Sequence, residues 1–192
     1  MNIGILAVQG AFTEHKKILE KLGVASFEIR QKSDLDRQTD GIIIPGGEST
    51  VMGKLTEELG MKEILLGYIK SGIPIFGTCA GMILLADKIE GGEKTHFASM
   101  NITVVRNAYG RQLGSFETVS EFAGRPVKMV FIRAPYVSRT GENVKILSTV
   151  DGKIAAVRQG NMLATAFHPE LTDDASVHEY FIGMIRDFSN NK

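Results

Sequence analysis

Residues 74–85 read Pro74-Ile75-Phe76-Gly77-Thr78-Cys79-Ala80-Gly81-Met82-Ile83-Leu84-Leu85, and they hold the only cysteine of the chain. Gly-x-Cys-x-Gly has the form of a nucleophile elbow, where a strand turns sharply into a helix and presents one side chain. Here Ile73–Phe76 reads as the strand and the run Met82–Ile89 as the helix. The flanking glycines would let neighbouring backbone come close. Cys79 would leave the carboxyl edge of a sheet at a helix N-terminus, whose dipole favours a thiolate. The N–H of Ala80 would be free to meet an oxyanion. A buried structural cysteine is the other reading of a lone thiol in apolar surroundings. The pentapeptide alone leaves both open.

On the N-terminal side the chain alternates short apolar runs with helical spacing. Ile3–Val8, Ala25–Ile29 and Ile42–Ile44 read as strands. Thr13–Leu22 has apolar residues at Ile18, Leu19 and Leu22, and a helical pattern after Pro45-Gly46-Gly47 breaks near Gly60 and resumes over Lys62–Ile69. Asp34–Asp40 is polar and loop-like. Strands that are apolar throughout, alternating with helices, predict a parallel sheet covered on both faces. On the C-terminal side the character changes. Asn101–Val105, Val127–Ile132 and Val144–Val150 read as strands, and Asp151-Gly152 is a two-residue hairpin signal leading into Lys153–Arg158. Gly160-Asn161 is another turn, before Met162–Phe167. Ser176-Val177-His178-Glu179 has the form of a capping box opening a last helix, Val177–Phe188. The expectation is an α/β fold over residues 1–192 as one domain: a three-layer α/β/α sandwich whose central sheet is mixed, mostly parallel, with an antiparallel extension.

Composition narrows the function classes. Lys plus Arg and Asp plus Glu both total 22, so no net charge steers the chain to nucleic acid or an anionic membrane. Trp is absent and aromatics make up 7%, which disfavours an aromatic platform for bases or sugars. One cysteine makes no internal disulfide. The start Met1-Asn2-Ile3-Gly4 lacks a basic n-region, and no apolar stretch approaches the roughly 20 residues that span a bilayer. A reducing, cytoplasmic setting is expected.

A thiol nucleophile needs a base. Of His15, His96, His168 and His178, only His168 follows an apolar strand and opens His168-Pro169-Glu170. A strand end holds a base rigidly, and Glu170 could fix its tautomer from two residues away. A simple turn is the competing reading. His15 reads as lying on a polar helix face or near a loop, His96 as exposed, and His178 as part of the first turn of the last helix. No spacing resembles a metal site, and His-Glu-x-x-His is absent. Pro45-Gly46-Gly47-Glu48-Ser49-Thr50 follows a strand. Gly47 to Gly53 is one residue too long for a phosphate loop, and Leu55 stands where that motif has Ser or Thr. A glycine turn donating N–H groups to substrate fits better. A helix entry capped by Ser49 or Thr50 is compatible with it. Arg106 and Arg133 end two strands, where an arginine can clamp a carboxylate bidentately or simply be solvated.

In motif order this set resembles the class I, triad-type glutamine amidotransferases, whose fold is flavodoxin-like. More narrowly, Ile5-Leu6-Ala7-Val8-Gln9-Gly10-Ala11-Phe12 with Glu14-His15, then Gly46–Thr50, Gly77–Met82, Ile132-Arg133-Ala134-Pro135 and His168–Thr172 resemble the glutaminase subunits of pyridoxal 5'-phosphate synthases. The small Ala80 after the cysteine, where relatives are usually bulkier, belongs to that narrower pattern. The resemblance implies Cys79 as nucleophile, His168 as base and then acid, and Glu170 as orienting carboxylate. It implies Gly47, Glu48, Ser49, Arg106, Ile132 and Arg133 as L-glutamine-binding positions, and the Gly46–Gly47 peptide with the Ala80 N–H as oxyanion hole. It places Gln9 near the site or the partner surface. No cofactor is implied. Free ammonia at neutral pH is mostly ammonium and diffuses away, so a separate acceptor is expected; the resemblance makes it the barrel-fold synthase subunit. Another ammonia acceptor, such as the histidine-pathway cyclase, and a non-catalytic regulatory module on the same fold are the rival readings.

Overall fold

The structure is a computed structural model and describes residues 1–106 and 114–190. Its first half is a run of alternating strands and helices: β1 (Asn2–Leu6), α1 (Phe12–Lys21), β2 (Ala25–Ile29), β3 (Gly41–Ile44), α2 (Ser49–Glu58), α3 (Lys62–Lys70), β4 (Ile75–Thr78) and α4 (Ala80–Leu85). The strands pair in parallel in the order β2-β1-β3-β4, with Ile43 opposite Phe76. Every residue of β3 and β4 is buried, as strands covered on both faces must be.

The pleat of β4 shows what covers each face. Phe76 packs edge-on against His15 of α1 and lies 5.5 Å from the Phe181 ring. Gly77, its neighbour, faces α4 so closely that an added Cβ would sit 2.6 Å from the carbonyl carbon of Gly81. Successive side chains on a strand point to opposite faces, so α4 lies on one face and α1 with the last helix on the other.

The second half adds β5 (Ala86–Ile89), β6 (Met100–Val105), β7 (Ser115–Phe122), β8 (Arg125–Ile132), β9 (Tyr136–Thr140), β10 (Lys145–Val150), β11 (Lys153–Gln159), β12 (Met162–Thr165) and α5 (Ser176–Asn190). The main sheet runs β2-β1-β3-β4-β12-β11-β9-β6-β5, with β10 also paired to β11, while β7 and β8 form a separate antiparallel ribbon. Strand β12 joins β4 in parallel, and the antiparallel pairs begin at β11. The Asp151-Gly152 hairpin is in register, with Val150 opposite Lys153. The mixed α/β sandwich expected from the sequence is therefore present.

Three details differ. The helix expected over Met82–Ile89 stops at Leu85, and Ala86–Ile89 is a strand parallel to β6. An apolar run of this length fits either period, and here the pairing edge of β6 decides. Strands β7 and β9 lie where no strand was expected. Strand β7 carries Glu117, Ser120 and Glu121 and leaves Val119 exposed, so its hydrophobic pattern is weak. Helix α5 begins at Ser176 itself, and the carboxylate of Asp174 accepts its N–H (2.9 Å), so Ser176 stands inside the first turn rather than capping it. Among the described residues no helix is long and apolar enough to cross a membrane.

Candidate active site

The parallel pair β4–β12 brings two distant segments to one sheet edge. Thr78 lies opposite Thr165, so the residues after each strand emerge side by side. Cys79 leaves β4 with φ 47° and ψ −98°, a left-handed conformation that is strained for a side chain with a Cβ. Its own N–H is held by the Thr165 carbonyl (2.7 Å). The turn is possible because the residues two before and two after Cys79 are glycines. A Cβ on Gly77 would press on Gly81, and a Cβ on Gly81 would overlap the Ile44 carbonyl. The sulfur-bearing residue keeps 8% of its surface exposed, enough to face a cleft.

His168 follows β12 through Ala166 and Phe167, and its backbone N–H donates to the Val130 carbonyl (2.8 Å). The imidazole lies against Gly46, where any Cβ would collide with the ring. Pro169–Leu171 forms one 3₁₀ turn, which swings Glu170 back under the ring. His168 Nδ1–H donates to Glu170 Oε1 (2.7 Å), leaving Nε2 for Cys79. Burial pushes the His168 pKa down, but the hydrogen bond to Cys79 and then the Glu170 carboxylate outweigh it, and the pKa is raised to about 10. Burial pushes Glu170 up; His15, and then the bond and charge of His168, hold it below the usual carboxylate range. At neutral pH this is an imidazolium–carboxylate pair with the Cys79 sulfur beside it.

Cys79 and His168 open onto a cleft of about 450 Å³. Gly47, Glu48, Ser49, Arg106, Ile132 and Arg133 all line it, together with Gln9, Gly46 and Leu171. Glu170 stays behind His168, 5% exposed. Ala80 is buried at the start of α4 and does not reach the cleft wall with its side chain. The Gly46 carbonyl accepts from Ala11 N–H (2.9 Å), so the N–H of Gly47, trans across the same peptide, points the other way.

The helix entry at residue 48 corrects a detail of the sequence reading. Glu48, not Ser49 or Thr50, is the N-cap of α2, and its carboxylate accepts from the N–H of Thr50 (3.2 Å) and Val51 (2.8 Å). That carboxylate also meets Arg106 at 3.3 Å, while Glu93 takes the other arm of the same guanidinium at 2.5 Å. Burial pushes Glu48 up, yet the two backbone N–H groups and Arg106 leave it lowered. Gln9 Oε1 accepts from the Glu48 N–H (2.7 Å), which ties the loop after β1 to the loop after β3 across the cleft rim.

His15 lies inside the fold rather than on a polar helix face, and His178 stands in the first turn of α5 as expected. His15 and His178 are fully buried. They face each other, His15 Nδ1 to His178 Nε2 at 2.9 Å, and His15 Nε2 lies 3.2 Å from Thr78 Oγ1 and 3.5 Å from Glu170 Oε2. The signal was in the spacing. His15, Ile18, Leu19 and Leu22 form one i, i+3, i+4, i+7 stripe, and His178, Phe181, Ile182 and Ile185 form another. His96, expected to be exposed, is half-buried against Gly53, where a Cβ would overlap its ring. Among the described residues no group of three or more His, Cys, Asp or Glu is placed to hold a metal ion.

Comparison with known proteins gives a consistent result. Residues 5–187 match the SNO glutamine amidotransferase family. The chain is 56% identical over 186 residues to a protein of Methanocorpusculum labreanum named pyridoxal 5'-phosphate synthase subunit PdxT, covering 96% of this chain and 98% of that one. It is 53% identical over 191 residues to a protein of the same name from Streptococcus pneumoniae, covering 97% and 98%. A crystal structure described as a glutamine amidotransferase superposes with a TM-score of 0.91 at 43% identity, over 95% of this chain and 98% of that chain.

Proposed function

The chain belongs to the SNO glutamine amidotransferase family, and from that premise we propose that it is the glutaminase subunit of a pyridoxal 5'-phosphate synthase. It hydrolyses L-glutamine to L-glutamate and ammonia and passes the ammonia to a partner synthase subunit of barrel fold. The observation that carries this reading is the line Cys79–His168–Glu170 at the floor of a cleft. Every glutamine-binding position expected from the sequence lines that cleft.

In this reading the Cys79 sulfur attacks the side-chain amide carbon of glutamine and its proton resides on His168. The tetrahedral oxyanion is met by the N–H groups of Gly47 and Ala80. As the C–N bond breaks, His168 gives its proton to the departing nitrogen, and ammonia leaves a γ-glutamyl thioester on Cys79. His168 then takes a proton from water, which attacks the thioester and releases glutamate. Glu170 keeps Nδ1 protonated and the ring oriented throughout. Arg106 and Arg133 hold the substrate α-carboxylate, with Gly47, Glu48, Ser49 and Ile132 around the rest. A bound carboxylate competes with Glu48 and Glu93 for the Arg106 guanidinium, which those two residues now hold at the rim.

The test is a glutaminase assay with and without the synthase subunit, reading ammonia and pyridoxal phosphate together. The expected result is glutamine-dependent pyridoxal phosphate formation that Cys79→Ala abolishes. Wild-type turnover in Cys79→Ala would refute the nucleophile. Ammonia delivered only to a different synthase, such as the histidine-pathway cyclase, would refute the partner. A glutamine-analogue electrophile should alkylate Cys79; failure to do so would favour a non-catalytic module.

A further inference from the structure

Behind the cleft lies a row of buried polar groups that the hydrolysis described above does not use: Glu170 Oε2, His15, His178 and the Thr78 hydroxyl. Building on the glutaminase reading, we propose that His15, held in one tautomer by His178, is a positioning residue. It aims an N–H at the Glu170 oxygen that His168 leaves unused and ties that carboxylate to the Cys79 elbow through Thr78.

The proton inventory decides the direction of the row. Two atoms at its ends lack a hydrogen-bond partner of good geometry, Glu170 Oε2 and His178 Nδ1. With both protons on Nε2, His178 donates to His15 Nδ1 at 2.9 Å, and His15 donates toward Thr78 Oγ1 and Glu170 Oε2. The His178 Nδ1 lone pair and the Thr78 hydroxyl hydrogen, whose only hydrogen-bond neighbour among the described residues is His15 Nε2, are then left over. With both protons on Nδ1, His178 keeps a buried N–H with no acceptor, and His15 turns a lone pair on a carboxylate oxygen. Each arrangement leaves one buried donor unpaired, but only the second sets a lone pair of His15 against the Glu170 carboxylate 3.5 Å away, so the first holds.

Charging either ring is disfavoured. The titratable groups acting on His15 are Glu170, His168, His178 and Glu14 of its own helix. One buried carboxylate already serves the His168 cation, and burial lowers the pKa of His15 and takes that of His178 down to about 3. The neutral row therefore presents a dipole to Glu170 without adding a second cation. Its position matters as much as its charge. His15 Nε2 stands between Thr78, the residue before the nucleophile, and Glu170, the residue that aims the base, so one side chain sets the spacing of two strand ends.

The test uses the full chain with its synthase subunit. His15→Leu is expected to lower kcat by about 10- to 100-fold, with KM for glutamine within about twofold. It is expected to move the acid limb of the pH profile up by about one unit, because Glu170 loses a donor to its charged form. His15→Gln, whose amide carries N–H groups at the reach of Nε2, should restore kcat to within about fivefold and return the limb. Nitrogen-15 spectra of the wild-type imidazoles should show His15 and His178 neutral and protonated on Nε2 at pH 7. An unmoved acid limb in His15→Leu, equal damage from Leu and Gln, or either ring found charged or protonated on Nδ1 overturns the proposal. Wild-type protein that fails to hydrolyse glutamine overturns the glutaminase reading instead, and the spectra then decide the arrangement of the row by themselves.

Discussion

One carboxylate, Glu170, is approached by histidine from two sides, and the two sides carry opposite charge states. On the cleft side His168 has two partners, Cys79 and Glu170, and its pKa is raised to about 10. On the inner side His178 is fully enclosed, its nearest polar neighbour is another imidazole, and its pKa falls to about 3. Burial pushes every one of these rings toward the neutral form. What separates His168 from His178 is a short hydrogen bond to an anion: His168 has Glu170 Oε1 at 2.7 Å, whereas His178 meets only the His15 imidazole. The same residue type thus supplies a proton carrier on one side and an uncharged strut on the other.

The most severe way to break this contrast is to remove the group the charged side serves. Cys79→Ala should lower glutaminase turnover by roughly 10⁴-fold or more, measured as ammonia release in the complex. Glu170→Gln removes the anion from both sides and should cost roughly 10³-fold in kcat, since His168 loses the partner that fixes its tautomer. It should also alter the alkaline stability profile. A His168 pKa raised above its ordinary 6.5 stabilises the fold fully below pH 6.5 and loses that contribution as pH rises through about 10. Urea midpoints at pH 6, 8 and 10 should decline in the wild type and decline less in Glu170→Gln.

A smaller change acts through shape. Gly46→Ala would drive a methyl group into the His168 ring and should lower kcat by about 10²-fold while the chain still folds. A normal rate in that variant would show that the ring does not need its present seat. The inner side is tested in acid. His178 stays neutral in the fold until about pH 3, whereas the unfolded chain protonates it near 6.5, so stability falls as pH drops from 6.5 toward 3. His178→Leu should flatten that acid decline, seen in denaturant midpoints at pH 4, 5 and 7. The mildest change is at the rim. Glu93→Gln frees one arm of Arg106 and should lower KM for glutamine by a few-fold, in keeping with the small worth of exposed ion pairs.

Much of the fold was legible because its first half is locally consistent. The run Ile42–Ile44 is apolar throughout and bounded by Gly41 and Pro45, and Ala25–Ile29 alternates with Phe27 and Ile29 turned inward, so period and length agree with parallel strands. The cleft was legible for a related reason. Strand ends carry glycine turns and single reactive residues whose types already limit their use. Less readable were elements whose pattern is set by a neighbour. Ala86–Ile89 continues the apolar run of α4 and becomes a strand only because β6 offers a parallel edge. The outer hairpin strand β7 buries little, so its residues carry little periodicity. His15 and His178 sit on well-formed apolar stripes, yet a polar residue type invites a surface reading of His15, and only the facing stripe shows that each is the other's partner.

The sequence alone determined that a cysteine would stand on a glycine-flanked turn and that a histidine and a glutamate would follow a distant strand. Glycine is required where backbone approaches backbone, and apolar strands must be covered, so those features are written locally. Only the tertiary structure decided that β12 pairs with β4, which sets His168 beside Cys79 across 89 residues of chain. Only it decided that two more histidines close behind Glu170. Pairing and burial depend on what lies opposite, and no local pattern carries that information.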